Sequence, residues 1–416
     1  MKNSNNYDLI IIGGGAAGFY TALQVAEKKS NYEVLILEKS SKLLTKVKIS
    51  GGGRCNVTHH CFNPIELAHH YPRGERVMKS LFKRYQAANV VEWFTRKGVQ
   101  LKTESDGRMF PISNSSQTII DCLINEAHRH NIQIKTNSAV VRIEMLGSKF
   151  NVLLQDGGAY LAEKVVVAIG GSPRLETYYW LKELGHTILV PKPSLFTFND
   201  HQKKFSDLMG ISAPDAEVKI AGTKYSQQGP LLITHWGLSG PAVIKLSAWA
   251  AEYLYEINYK FTALVSWIGK VNEENTRRHL NEYKNKYRKQ RVVINPLYAL
   301  PQRLWQRLCE LAEMPEDKVW AELPHRNLNK LLECLIRCPF QVDGKTTFKE
   351  EFVTCGGVDL NDIDLDRMES KKVNNLFFAG EVLNIDGETG GFNFQSAWTT
   401  AYVAAMAIVQ DNKQKG

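Results

Sequence analysis

The chain has 416 residues, 44% of them apolar and 23% charged, a composition that calls for two or three folded domains and excludes extended disorder. No apolar run approaches the roughly 18 residues needed to span a bilayer, and residues 7–12 make too short an apolar stretch for a secretory leader, so a cytoplasmic protein with no membrane role is expected. Seven scattered cysteines without a CxxC pair argue against a disulfide framework, a metal site or a dithiol redox couple, and 52 basic against 43 acidic side chains leave a net charge of +9.

Residues 7–12 are rich in β-branched side chains and read as a fully buried strand. That strand runs into Gly13-Gly14-Gly15-Ala16-Ala17-Gly18 and then an apolar-periodic helix. Gly13 suits a tight turn, Gly15 a close approach of backbone to a pyrophosphate, and Gly18 the packing of helix on strand. The helix start adds N–H donors and a favourable dipole for phosphate. Residues 33–37 form a second strand ending on Glu38, twenty residues past Gly18, where a carboxylate meets ribose hydroxyls and repels a 2′-phosphate. Together these features predict a dinucleotide site that includes Ala16, Ala17 and Lys39.

Three later segments choose the dinucleotide. A glycine-rich loop with basic flanks, from Lys46 through Ser50-Gly51-Gly52-Gly53-Arg54-Cys55-Asn56, stands where a nicotinamide dehydrogenase continues to a third strand. Residues 139–144 are strand-like and put Val140 beside an adenine, and residues 165–169 make a buried strand ending at Gly170. Near the C-terminus an apolar strand ends in Gly380-Glu381, followed by Asp386-Gly387, Gly390-Gly391-Phe392-Asn393-Phe394-Gln395 and a long Ala-rich helix. Such an ending completes the FAD site of two-dinucleotide-type flavoproteins. Glu381 and Asp386 are expected near the ribityl and pyrophosphate, with Gly391, Asn393 and Phe394 opening a helix whose dipole points at the flavin.

From about residue 191 the pattern changes to short strands at 195–198, 217–221, 231–234 and 260–268, followed by a helical stretch over 272–336. The chain returns near Phe352 through a glycine-rich turn at Thr354-Cys355-Gly356-Gly357-Val358. This organisation predicts an FAD-binding domain in two parts (1–190 and 351–416), an inserted β-barrel-like domain (191–270 and 337–350) and a helical insert (271–336). Cys334 and Cys338 are one helical turn apart, which reads as two buried thiols. Cys55, beside Arg54, reads either as an activated thiol or, more simply, as packing near the cofactor. Seven cations between Arg277 and Arg291, interleaved with Leu280, Tyr283 and Tyr287, read as a solvated helix face or as a patch for RNA or an acidic substrate.

The motifs Ser50-Gly51-Gly52-Gly53-Arg54-Cys55-Asn56, Gly107-Arg108-Met109-Phe110-Pro111, Thr234-His235-Trp236-Gly237-Leu238-Ser239-Gly240-Pro241 and Met368-Glu369-Ser370-Lys371, with the run from Gly380 to Gln395, resemble the YhiN/BaiN-like bacterial flavoproteins over almost the whole chain. The resemblance implies an α/β protein with a Rossmann-type FAD-binding domain, interrupted by a barrel-like domain carrying helices. It also implies an NAD(P)/FAD-dependent oxidoreductase. The sequence departs from that pattern at Asn384 and Phe392, where Asp and Tyr are usual.

With no second dinucleotide fingerprint, NAD(P)H is expected as a transient donor reducing FAD, which then acts on a small organic substrate. An oxidase using O2, an FAD-dependent RNA-modifying protein and a non-catalytic flavin-binding protein are the alternatives. His235 is the candidate proton donor and Arg108 the candidate anion anchor.

Overall fold

In the computed structural model, which describes residues 5–346 and 353–410, the first strand, Asn6–Ile12, is covered on both faces, with Leu9, Ile10 and Ile11 fully buried. Such a continuous apolar strand is stable only at the centre of a parallel sheet. It lies between Val34–Leu37 and Ala159–Val167, both parallel to it. Gln133–Lys135 extends the sheet on one side and Leu376–Phe378 on the other, again in parallel. The antiparallel hairpin Val140–Leu146 and Lys149–Leu154 leans on Ala159–Val167. Helix Ala16–Ala26 buries ten of its eleven residues and packs on the last helix, Phe392–Gln410, so chain segments almost 400 residues apart share one core. Trp398, fully buried, lies 5.1 Å from the Tyr20 ring and 5.8 Å from that of Phe94. This is the Rossmann-type α/β architecture.

These segments form one compact unit, Met1–Ser194 with Lys349–Gly416; Leu195–Phe348 forms the other. The second unit is built on a closed antiparallel barrel of Thr197–Asp200, Gly237–Ser239, Ser226–Ile233, Ser212–Ile220, Lys260–Ser266 and Cys338–Thr346, in that order round the barrel. Its interior follows the two-residue period, with Ala216, Val218 and Ile220 buried from one strand and Ala263 and Val265 from another.

The helical stretch is broken as its prolines require, into Glu273–Lys286, Gln302–Leu311 and His325–Ile336, with Asn295-Pro296 and Pro301 in the first gap and Pro315 and Pro324 in the second. Several local expectations change. Residues 288–292 instead run beside 318–321, joined by Val292 N–H to Lys318 O at 3.0 Å and Ala321 N–H to Arg288 O at 3.0 Å. Cys334 lies in the last of these helices whereas Cys338 opens the following strand, so the two do not share a helical turn. The segment around Gly356-Gly357 is no turn but the strand Val353–Val358, antiparallel to Ile188–Ser194. Its glycines are required for another reason: at φ +95° and +100°, a Cβ would lie 2.6 Å from Val190 O and 2.4 Å from Val382 O. Phe352, the expected point of return, lies outside the described residues.

Candidate functional site

Register places the C-terminal ends of four parallel strands together, since Ile12 pairs with Leu37 and Val167, and Val167 with Phe378. Each end leads into predicted site residues: Gly13 to Gly15, Glu38, Gly170, and Gly380-Glu381. Ligands of open α/β sheets bind outside these carboxyl ends.

The three glycines of the first loop do different work. Gly13 has φ +118°, and a Cβ there would lie 2.3 Å from Ala168 O; at Gly18 it would lie 2.0 Å from Gly13 O. The protein itself forbids side chains at these two positions. At Gly15 a Cβ would meet nothing within 4 Å. Gly15 also precedes helix Ala16–Ala26, whose start is capped by no side chain. A small-residue opening at an uncapped helix start suits a pyrophosphate. Ala17 is buried, and Gly380 approaches it so closely that a Cβ there would lie 2.8 Å from the Ala17 Cβ. Glu38 accepts from Gly14 N–H at 2.8 Å and from Ser40 N–H at 2.9 Å, so its carboxylate closes the loop. Ser138 N–H donates to Glu38 O at 2.9 Å, which draws the segment before Val140 alongside. Lys39 is exposed.

The predicted glycine-rich loop begins as a helix from Thr45 and breaks at Ser50, after which Gly51, Gly52 and Gly53 are left-handed at φ +60°, +69° and +82°. A Cβ on Gly52, Gly53 or Gly170 would meet nothing within 4 Å, whereas at Gly51 it would strike Phe110 at 2.9 Å. Arg54 stacks over the Phe110 ring at 4.0 Å and donates to Glu104 at 2.6 Å. Arg108 is bound by the same Glu104 at 3.2 Å and by Asp106 at 2.7 Å. Cys55 is fully enclosed, and burial pushes its thiol up to about 12, so it is a packing residue and no activated thiol. Asn56 is 8% exposed, and its Oδ1 has no hydrogen-bond partner among the described residues.

The C-terminal segment meets this loop. A Cβ on Gly391 would lie 2.6 Å from Thr58 O and 2.9 Å from the orphaned Asn56 Oδ1. Thr58 donates to Gln395 at 2.6 Å. Asn393 holds the preceding bend through Gly387 N–H and Gly387 O, both at 2.9 Å. Phe394 stacks on Trp398 at 5.8 Å. Lys46 pairs with Glu381 at 2.6 Å, and Thr354 N–H donates to the other Glu381 oxygen at 3.0 Å. Asp386 is fully buried between Arg73, whose Nε donates at 2.6 Å, and Ser194 Oγ at 2.8 Å; burial pushes its carboxyl up while both partners oppose that shift. Arg73, Thr354 and Glu104 escape sequence reasoning. Arg73 stands in the turn-like Tyr71-Pro72-Arg73-Gly74, with no local sign that its partner lies 313 residues away.

The residues present fit FAD. Four glycines present open space where side chains would intrude, and Asn56 keeps a buried acceptor at the meeting point of loop and last helix. Gly15 with Glu38 and Val140 would hold the adenosine pyrophosphate end. Gly52, Gly53 and Asn56 with the start of helix Phe392–Gln410 would hold the flavin end.

His235 lies in the other unit, exposed at the tip of the tight connection between Ser226–Ile233 and Gly237–Ser239. Thr234 N–H to Gly237 O at 2.8 Å closes that tip, Trp236 donates to Thr197 at 3.0 Å, and the two rings of His235 and Trp236 sit edge to face at 4.4 Å.

The family model described as HI0933-like protein Rossmann domain matches residues 7–407. The chain belongs to this family. Among its relatives, the Escherichia coli protein named ribosomal RNA dihydrouridine synthase is 29% identical over 97% of this chain and 98% of its own length. The 3-dehydro-bile acid delta(4,6)-reductase of Clostridium scindens is 25% identical over 96% and 98%. Among solved structures, a 3-ketosteroid-delta4-(5alpha)-dehydrogenase from Rhodococcus jostii shares the fold at a TM-score of 0.54 and 11% identity, covering 97% of both chains. No helix among the described residues is long and apolar enough to cross a membrane.

Proposed function

We propose that this HI0933-like protein reduces a carbon–carbon double bond conjugated to a carbonyl, and that uracil within ribosomal RNA is the substrate. The observation that carries the reading is likeness along nearly the full length to relatives named for two reductions of one chemical kind. Making dihydrouridine adds two hydrogens to the uracil double bond conjugated with its 4-carbonyl. A delta(4,6)-reductase acts on double bonds conjugated with a 3-oxo group. In both, a hydride adds to the carbon remote from the carbonyl and a proton to the carbon beside it. The 29% relative favours RNA; the 25% relative supports a small-molecule enone as the second reading.

FAD bound there would supply hydride chemistry, with NAD(P)H proposed as its transient donor. The chain's own residues bind and orient: Gly15 admits phosphate, Glu38 holds ribose, and the last helix start favours negative charge at the flavin. His235, an exposed imidazole on a rigid tip, is the proposed proton donor. Arg108, already bound by Glu104 and Asp106, is better suited to fixing the loop beside Phe110 than to anchoring an anion.

The test is anaerobic. The protein is reduced with NADH or NADPH, then mixed with ribosomal RNA lacking dihydrouridine, with a panel of steroid and aliphatic enones, or with O2. Flavin re-oxidation by RNA, with uridines gaining two hydrogens by mass spectrometry, is the expected result. Re-oxidation by enones alone moves the assignment to the second reading. Re-oxidation by O2 alone overturns both.

A further inference from the structure

The seven cations predicted between Arg277 and Arg291 separate into two groups. Arg277 is bound by Glu273 at 2.8 Å and by Asn329, and Lys284 donates to Leu323 O at 2.6 Å. Both serve the packing of the helices. Arg278 is occupied by Asn275 at 2.6 Å. The remaining four, Lys286, Arg288, Lys289 and Arg291, are exposed within six consecutive residues, and no carboxylate among the described residues lies in ion-pair range of them.

This group is mounted on an ordered support. Helix Glu273–Lys286 ends at Tyr287, and the chain then runs against residues 318–321 through Ala321 N–H to Arg288 O at 3.0 Å, Trp320 N–H to Gln290 O at 3.0 Å and Val292 N–H to Lys318 O at 3.0 Å. Trp320, fully buried, packs beneath at 5.3 Å from the Tyr283 ring, which in turn lies tilted against that of Tyr287 at 4.3 Å. Lys286 lies 5.2 Å over the Tyr287 ring. On the opposing segment Glu322 pairs with Lys318 at 3.4 Å, and neither Glu316 nor Asp317 forms an ion pair with the ridge among the described residues. An ordered ridge with four uncompensated charges is costly through self-repulsion, a cost that a polyanion removes.

We propose that Lys286, Arg288, Lys289 and Arg291 form the RNA docking ridge of this protein, gripping phosphates of the ribosomal RNA whose uracil is reduced at the flavin. This rests on the RNA reading proposed above. Phosphate contacts of this kind position a nucleic acid without reading its sequence. The ridge therefore supplies affinity and the flavin site supplies selection of the base. Half-buried Tyr283 and Tyr287 stiffen the ridge from below instead of stacking on bases.

The experiment compares the full-length FAD-bound protein with a variant carrying Lys286→Gln, Arg288→Gln, Lys289→Gln and Arg291→Gln. Binding to a fluorescent ribosomal RNA fragment is measured over a range of salt concentrations, together with flavin reduction by NAD(P)H and melting temperature. Every phosphate that the protein no longer neutralises lowers the slope of log affinity against log salt by about 0.7–0.9, so the variant should lose about 3 from the slope and at least tenfold in affinity near 0.1 M salt. Flavin reduction should stay at the wild-type value, and melting should not fall, since removing like charges relieves their repulsion. A second variant, Arg288→Lys with Arg291→Lys, should retain the slope, because it keeps the charges. If wild type binds and reduces RNA but the glutamine variant does so with an unchanged slope, the ridge is overturned while the RNA reading stands. If wild type does not bind RNA, the RNA reading fails and takes the ridge with it. Selective loss of binding to vesicles of anionic lipid, with no RNA binding by wild type, would reassign the ridge to a membrane surface and overturn the proposal.

Discussion

Gly13, Gly15 and Gly18 belong to one motif, yet the protein itself forbids a side chain only at Gly13 and Gly18. Gly18 faces Gly13 O at 2.0 Å from a would-be Cβ, so Gly18→Ala should destabilise the fold itself by at least the about 1–3 kcal/mol of an overpacked core, with or without cofactor. Gly15 faces open space, so Gly15→Val should fold and melt as the apoprotein does while losing FAD, read by flavin absorbance after desalting. Equal melting losses in the two variants would mean that the opening at Gly15 is no cradle. Cys55 carries the same lesson. Its neighbour Arg54 argues for a reactive thiol in sequence, but Arg54 turns to Glu104 and Phe110 and leaves the sulfur wholly enclosed. Sequence adjacency reports which groups are near along the chain; burial decides which of them feel one another.

At the scale of elements, the last helix is expected to make the N-terminal fingerprint functional. Ending the chain after Gly380 removes Gly391, Gln395 and Trp398, which meet Asn56, Thr58 and Tyr20. The truncated protein should lose FAD although Gly13 to Gly18 are untouched, and a soluble truncation that holds FAD at full stoichiometry would refute the shared site. A second joint is His186, which sits 3% exposed between Leu181 O at 3.2 Å and Ser370 Oγ at 2.7 Å. Desolvation holds its imidazole below the ordinary value. A depressed pKa means the unfolded chain takes the proton first, so the stability it contributes is present above pH of about 6.5 and is lost as pH falls through the folded value. Melting temperature should therefore decline on acidification below about pH 6.5, less steeply in His186→Gln; identical slopes would show that His186 does not titrate differently on folding. Strands and helices with strong periodicity were legible here, including the first strand and the last helix. The strand Val353–Val358 was not, because two adjacent glycines look like a turn until the close carbonyls of Val190 and Val382 are seen.

For the whole molecule, the role proposed for His235 carries the next prediction. His235→Ala should leave FAD content, melting and flavin reduction by NAD(P)H near wild type while slowing re-oxidation by substrate about 10²–10⁴-fold, the usual worth of a general acid. Unchanged turnover would remove His235 from the chemistry, and lost FAD would mark it as structural. By itself the sequence determined the parallel nucleotide-binding core, the dinucleotide fingerprint and the closing strand and helix at the C-terminus. Those features are local: β-branched runs, glycine spacing and helical period act over a few residues, and the chain cannot hide them. Only the tertiary structure decided the closure of the barrel, the partners of Lys46, Arg54 and Asp386, and which cations of residues 277–291 stay uncompensated. Each of these depends on residues brought together from far along the chain, and charge pairing, burial and strand closure are set by distance in space, which sequence spacing does not encode.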